Sequence, residues 1–451
     1  MNTLNIDLAN KEQVTEFLEN HRKNEVAEYA KEFKGDRKLR KLQVGNRKDY
    51  TQGKNKTIEA ERLVVNFQKK IVNTASSFLF GEAPSITPTD PENEAGAEIL
   101  RTLKANRINS KLLDFSEAVM SSTMGVLIFS LEDEEIKTRC FNSDNGIYTP
   151  YFDPYGNLKA FFWEFEIDDI NYLWVFDEKN LYMYEGEGEY KFVDSEAHGF
   201  DVIPVVFLEQ PEPEWWDVKE MIDRVEMIIS KLAGSNNYFA FPILKLKGGT
   251  FKNEAGEEET LIDVEEDGHS LLLGYAEKNG QVIEADAEFL QRDTGVDSIK
   301  LEIEYLKEFI FNISQTPDLS FDNVKGIGAV SGRALLLMLQ DAINKAKRNH
   351  GKYRVVIERV INVIKSGMKA TQPALKTEEV DFDIQFNLSL PSDLAEEIRT
   401  IMEATGGKPV LSQESGVKLS PFTNDIQKEL EALQDEKAKA YEGTLKLGED
   451  E

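Results

Sequence analysis

An α+β fold is predicted for this 451-residue chain, and three observations predict it. Residues 125–208 alternate like strands and are punctuated by turn signals. Two later segments, 218–232 and 296–313, repeat apolar residues at spacings of three and four, the signature of helices with one buried stripe. A long basic helical stretch, 345–369, follows them. At roughly 100–200 residues per domain, the length suggests two to four structural units.

In chain order, residues 1–48 alternate Lys, Arg and Glu with sparse apolar positions and read as exposed, partly amphipathic helix. From Arg62 the pattern tightens into a mostly apolar helix that Gly81 and Pro84 stop. Another helix is suggested between Ile99 and Val119, and residues 125–129 look like a first strand. Residues 148–152 and 160–167 flank the turn sequence Asp153-Pro-Tyr-Gly-Asn157, and 172–176 and 181–184 flank Asp177-Glu-Lys-Asn180, which predicts two antiparallel hairpins. Residues 202–208 give a last strand, with Pro204 at an edge or bulge.

Beyond Pro211 and Pro213 the chain turns helical. Val218, Ile222, Val225, Ile229 and Leu232 fall on one stripe. Val296, Ile299, Ile303, Leu306, Ile310 and Ile313 form a second over about five turns. Each stripe demands a partner. Residues 242–292 between them read as a small mixed α/β insertion. A Pro/Gly loop, 314–331, leads to a long helix starting near Gly332. Its basic residues include Lys345, Lys347, Arg348, Lys352 and Arg354, against the single acid Glu358. Residues 381–388 alternate like a strand, and the remainder, including residues 424–446, reads as acidic amphipathic helix followed by a frayed tail.

The balance of 53 Lys and Arg against 82 Asp and Glu gives a net charge of −29. That disfavours broad gripping of nucleic acid, which depends on neutralising phosphates. The single cysteine, Cys140, allows no intrachain disulfide and fits a reducing compartment. No apolar run is long enough to span a bilayer, so a soluble protein is expected.

Catalytic and ligand-binding patterns are weak. No phosphate-cradling Gly-Lys-Ser/Thr string occurs, and in Gly326-Ile-Gly-Ala-Val-Ser-Gly332 the third glycine falls one residue late for a dinucleotide fingerprint. Asp263-Val-Glu-Glu-Asp-Gly268 resembles the start of a calcium loop, but Gly274 stands where the bidentate glutamate belongs. The four histidines are scattered. Asp381 and Asp383 share one strand face, where Mg²⁺ binding competes with simple solvation. No metal, no cofactor and no catalytic residue is expected.

The local strings resemble a family. Arg62-Leu-Val-Val-Asn-Phe67 with Phe80-Gly-Glu-Ala-Pro84, then Phe200-Asp-Val-Ile-Pro-Val-Val206, then Ile243-Leu-Lys-Leu-Lys-Gly248, are similar in order and spacing to the portal proteins of tailed phages, the siphophage type of Gram-positive hosts. Thr316-Pro-Asp-Leu319 followed by Ser331-Gly-Arg-Ala-Leu335 is the most specific match. Leu411-Ser-Gln-Glu-Ser415 and Ser420-Pro-Phe422 resemble the C-terminal region.

The resemblance implies a portal-like subunit: wing (1–216), first stem helix (217–240), small α/β clip (241–293), second stem helix (294–313), tunnel-loop region (314–331), long tunnel helix (332–370), wing return strand and helices (371–422) and a short helical crown or acidic tail (423–451). It implies a dodecameric ring at one capsid vertex, assembled in the host cytoplasm, through which double-stranded DNA is packaged and ejected. Expected partners are the terminase large subunit, a head-completion or adaptor protein, and the major capsid and scaffolding proteins, with no membrane. The loop Asp322, Asn323, Val324, Lys325, Gly326, Ile327, Gly328, Ala329 is expected to project toward DNA, although an ordinary helix connection is the plainer alternative. Two other readings stay open: a metal-dependent DNA-processing enzyme using Asp381 and Asp383, and a virion adaptor without a channel.

Overall fold

A computed structural model describes residues 6–23, 25–38, 44–52, 56–239, 244–247, 250–252, 258–260, 262–264, 271–273, 275–278, 281–284, 286–289, 296–318, 336–387, 394–406, 410–420, 423, 426 and 428–434. The chain divides into two compact units, 1–317 with 344–387 and 318–343 with 388–451.

The first unit is layered. Its outer layer is α1 (Lys11–His21), whose first amides at Glu12 and Gln13 are capped by the Asn10 side chain. Beneath it lies an antiparallel meander of β6 (Ile147–Phe152), β7 (Leu158–Ile167), β8 (Ile170–Phe176), β9 (Asn180–Gly186) and β10 (Lys191–Ala197). Both predicted turns work through an aspartate. Asp153 accepts from the amides of Tyr155 (2.9 Å) and Asn157 (2.8 Å), and Asp177 from those of Lys179 (2.7 Å) and Asn180 (2.6 Å).

Because strand side chains alternate, β7 serves two cores. Ala160 and Phe162 meet Val14, Phe17 and Leu18 of α1, so this predicted exposed helix is buried on one side. Phe161 and Trp163 meet Met124, Val126 and Ile128 of β4 (Met124–Glu132). With β5 (Glu135–Phe141) and β11 (Val205–Glu209), β4 forms a three-stranded sheet in the order β11-β4-β5. Pro204 precedes the edge strand β11, where its missing N–H costs no ladder bond, and its carbonyl accepts from Phe129.

The other face of β4, Leu127 and Phe129, packs on the largest core. This core gathers α3 (Phe67–Phe80), α4 (Glu94–Ala105), α5 (Ile108–Ser122) and the 344–371 part of α8 (Gln340–Thr371). Gly125 lets β4 and α5 approach closely: a Cβ there would sit 2.7 Å from the Phe115 carbonyl oxygen. A two-stranded sheet pairs Ser85–Pro88 (β3) with Phe382–Gln385, the last strand of the unit. Tyr50–Gln52 and Lys56–Ile58 form a small hairpin near the N-terminus.

The two helices predicted from apolar stripes are α6 (Lys219–Phe239) and α7 (Val296–Ile313). Between them every described residue from 244 to 289 is in a strand, pairing as Leu244–Lys247 with Asp286–Phe289, Thr250–Lys252 with Glu258–Thr260, Ile262–Val264 with Leu271–Leu273, and Tyr275–Lys278 with Gln281–Glu284. Of the mixed α/β insertion expected here, the described residues form four two-stranded sheets, and the rest lies outside the described residues. Short runs of alternating character such as Leu244–Lys247 suit two-residue periodicity and are too brief for helix. The long helix also begins later than expected, at Gln340; residues 336–338 are helical but a turn at Leu339 separates them.

In the second unit, α9 (Leu394–Thr405) packs on α10 (Gln413–Leu419), which Ser412 caps through the Ser415 amide at 3.1 Å. Gly416 allows the close approach, since a Cβ would lie 2.6 Å from Thr405 Cγ2.

At the link from β10 to β11, His198 is held neutral. Its Nδ1 accepts from the Phe200 amide (3.2 Å) while Nε2 faces the Asp177 carbonyl (3.1 Å). Burial lowers its pKa from the ordinary 6.5, and burial with Lys347 and Arg354 nearby lowers that of His350. A depressed histidine pKa means the unfolded chain takes the proton more readily, so this stability is complete above pH 6.5 and lost as pH falls below it. The melting temperature is expected to drop between pH 7 and pH 5, less steeply in His198→Gln; identical slopes would refute the assignment.

Candidate functional site

The candidate site is built on α6, whose faces have opposite chemistry. Val218, just ahead of the helix, and Ile222 and Val225 are buried in the main core, with Ile229 packed against it and Leu232 half-buried. On α7, Ile310 is buried in the same core and Leu306 packs on it, Ile299 and Ile303 are half-buried, and Ile313 stays largely exposed; the side chain of Val296 lies outside the described residues. Arg224 of α6 pairs with Glu302 of α7 at 2.8 Å. The two predicted stripes thus enter one core, but α7 is only partly covered by its own chain.

The second face of α6 is polar and deeply buried. Asp223, Glu226 and Ser230 lie on it and hold the segment between α2 (Glu25–Lys34) and α3, here called the strap. Glu226, 0% exposed, binds Arg37, 3% exposed, in bidentate fashion through Nε (2.8 Å) and Nη2 (2.9 Å). The same carboxylate accepts from the amides of Val65 (3.1 Å) and Asn66 (3.3 Å). Arg37 also reaches Gln68 Oε1 at 3.0 Å and the Glu32 carbonyl. Ser230 Oγ accepts from Leu63 N at 2.8 Å, and Asn237 donates to Glu61 at 2.8 Å. The polar atoms of the Arg37–Glu226 pair all have partners, the condition for burying charge without a large penalty.

This clasp leaves Leu63, Val64 and Val65 facing solvent, each 40–42% exposed. On α7, Leu301, Tyr305, Phe309 and Ile313 recur every four residues and are each 46–52% exposed. The sequence reading missed this ridge except for Ile313. The signal was present as a second apolar periodicity on α7, hidden because the first stripe already accounted for the helix.

The basic residues of α8 divide between two faces. Lys345, Arg348, Lys352 and Arg359 lie on one, and Lys347 and Arg354 on the opposite side, as steps of about 100° per residue require. Lys345 is buried, paired with Glu214 at 2.6 Å and donating to the Ser314 carbonyl at 2.8 Å. Arg348 bonds Gln315, Arg354 donates to the Ile384 carbonyl at 2.7 Å, and Lys347 and Lys352 are exposed. Lys345, Arg348 and Lys352 line a polar hollow of about 620 Å³ at the foot of α7, together with Glu214, Asp217 and Asn312. The loop Asp322–Ala329 lies outside the described residues.

Asp381 and Asp383 are exposed on either side of Phe382, and among the described residues no three His, Cys, Asp or Glu side chains gather as a metal site would require. No described helix is long and apolar enough to cross a membrane. Cys140 is half-buried, and burial pushes its thiol up to about 12.

No reviewed protein sequence is significantly similar to the chain. Among solved structures, it is similar to a chain in the neck of an empty gene transfer agent particle determined with C6 symmetry (TM-score 0.41, 11% identity, 78% of this chain and 88% of that one). A chain from the neck of the native particle, determined with C12 symmetry, gives a TM-score of 0.39 at 11% identity over 80% and 95% of the two chains. The family model described as phage portal protein, SPP1 Gp6-like, matches residues 16–443. With that match running through the strand layers, α6, α7 and the long helix, the chain belongs to the SPP1 Gp6-like family of phage portal proteins.

Proposed function

We propose that copies of this chain close into a dodecameric ring at one capsid vertex of a phage particle, a structural role without catalysis. The ring is the channel for packaging and ejecting double-stranded DNA and the docking site for the terminase motor and the head–tail connector. The family match along residues 16–443 carries this reading. The half-exposed ridge of α7 supports it, since a helix apolar on two faces has room for a neighbour on each.

An acidic wall suits a channel that must not hold its cargo. At physiological salt the Debye length is about 8 Å, so only charges near the DNA surface act on it. Lys325, in the loop that the sequence assigns to the bore, is the residue there that meets phosphates singly. Lys325→Glu is expected to leave ring size unchanged and to reduce packaging or retention of DNA several-fold. Loss of the ring itself in that variant would show that the loop belongs to assembly.

Negative-stain microscopy with native mass spectrometry of the full-length protein tests the proposal directly. The expected result is a ring of about a dozen chains with an axial hole of roughly 20 Å or more, wide enough for duplex DNA. A uniform monomer or dimer would overturn it.

A further inference from the structure

The stem has two apolar surfaces that its own chain leaves uncovered, and they stand on separate flanks. Asp223, Glu226 and Ser230, which hold the strap, lie within about 60° of one another around α6, while Arg224, which reaches α7, sits roughly 100–160° away. Between the two flanks runs an exposed strip of α6 carrying Glu220 and Lys231. One edge of the stem therefore displays Leu63, Val64 and Val65, and the other displays the ridge Leu301, Tyr305, Phe309 and Ile313.

The geometry points to a head-to-tail contact in which the strap of one copy seats on the α7 ridge of the next. This inference rests on the ring reading and specifies which surfaces close it. Two different, mutually complementary patches on separate sides of one subunit are what a heterologous ring needs, whereas an isologous dimer would pair one patch with itself. Charge agrees with shape. Exposed Lys69 and Lys70 follow the strap patch and pair with no described carboxylate, while exposed Glu308 flanks the ridge, as does Glu304, which Lys300 of the same helix partners at 3.9 Å.

Heights agree as well. Asp217 and Val218 share a hollow with Asn312 and Ile313, and Arg224 pairs with Glu302, so α7 runs antiparallel to α6. Leu63 and Val65 are tied to Ser230 and Glu226. Val64 therefore stands within about one helical turn, ~5.4 Å, of the level of Leu301. A cyclic ring has no rise between copies, and any tilt of the stem moves the contact along the ridge toward Tyr305 or Phe309.

The clasp beneath the strap gives the contact its rigidity. Leu63 and Val65 are fixed through their backbone amides, which leaves their side chains free for a partner and lowers the ordering cost of binding.

The test is disulfide trapping in the full-length protein. Val64→Cys is combined in turn with Leu301→Cys, Tyr305→Cys and Phe309→Cys, then exposed to mild oxidant and run on a non-reducing gel. At least one pair is expected to give a ladder of covalent multimers up to ring size, absent from the single-cysteine controls; Cys140 is a poor competitor. Rings by native mass spectrometry with no intersubunit disulfide from any pair would overturn the contact and leave the portal reading standing. A wild-type chain that forms no ring would remove both.

A second measurement fixes the polarity. Val64→Asp and Tyr305→Glu are each expected to remain monomeric alone and to give 1:1 dimers when mixed, because the mixture retains one intact strap and one intact ridge. Rings from Val64→Asp alone would refute the proposal.

Discussion

Glu226→Ala is expected to cost about 3–5 kcal/mol of subunit stability, because it strands Arg37 in a site with almost no water. The loss reaches beyond the pair, since the same carboxylate receives the amides of Val65 and Asn66. Urea denaturation gives the magnitude, and limited proteolysis between α2 and α3 shows whether the strap has come free. Replacing both partners, Arg37→Met with Glu226→Leu, should cost less than the sum of the single changes, because no buried charge is left unpaired. A single variant that loses under 1 kcal/mol would show that the clasp is not fixed as described.

The second large effect concerns Trp215, which is fully buried where the strand layers hand over to α6 and stacks on Phe33 at 5.8 Å. Trp215→Ala should destabilise by about 3–5 kcal/mol through loss of packing and the cavity left behind. Its indole N–H makes no hydrogen bond to a described residue, so Trp215→Phe should recover much of the loss. Tyr353 offers the contrast. Its ring meets Phe80 and Phe115 in the main core, but its hydroxyl also lacks a described partner. Tyr353→Phe is therefore expected to be neutral or slightly stabilising. Chemical denaturation of the three variants separates packing from polar terms, and a clear loss in Tyr353→Phe would show that its hydroxyl is satisfied.

Much of the fold was legible because its signals are local. The stripe from Val296 to Ile313 runs unbroken through five turns, and the helix found there has those very ends. Asp153 and Asp177 announced their turns because an aspartate can bond amides two to four residues on. Strand β10 was invisible for the opposite reason: all seven residues from Lys191 to Ala197 are exposed, so no burial pattern marks them. The charged composition of α1 masked Val14, Phe17 and Leu18, which need the meander beside them to reveal their role.

The candidate site was less legible. A run of basic residues along α8 looks like one surface in a linear sequence, yet the helix turns it into two faces and buries Lys345 against Glu214. The pair of Arg37 and Glu226 spans 189 positions, and neither residue carries a mark that distinguishes it from an ordinary surface charge. The ridge on α7 looked like core because nothing in one chain's sequence says which of two apolar faces its own fold will cover.

The distance along the chain between partners also sets an order of events during synthesis. The meander joins only residues 147–197 and can form as soon as they leave the ribosome. Arg37 must wait for Glu226, and Ile71 and Val72 share a core with Ile357 and Val360. At about 5–20 residues per second, the delay from Val72 to Val360 is roughly 15–60 s. Until then the part of this core that the long helix covers stays open, which makes the growing chain a natural client for chaperones.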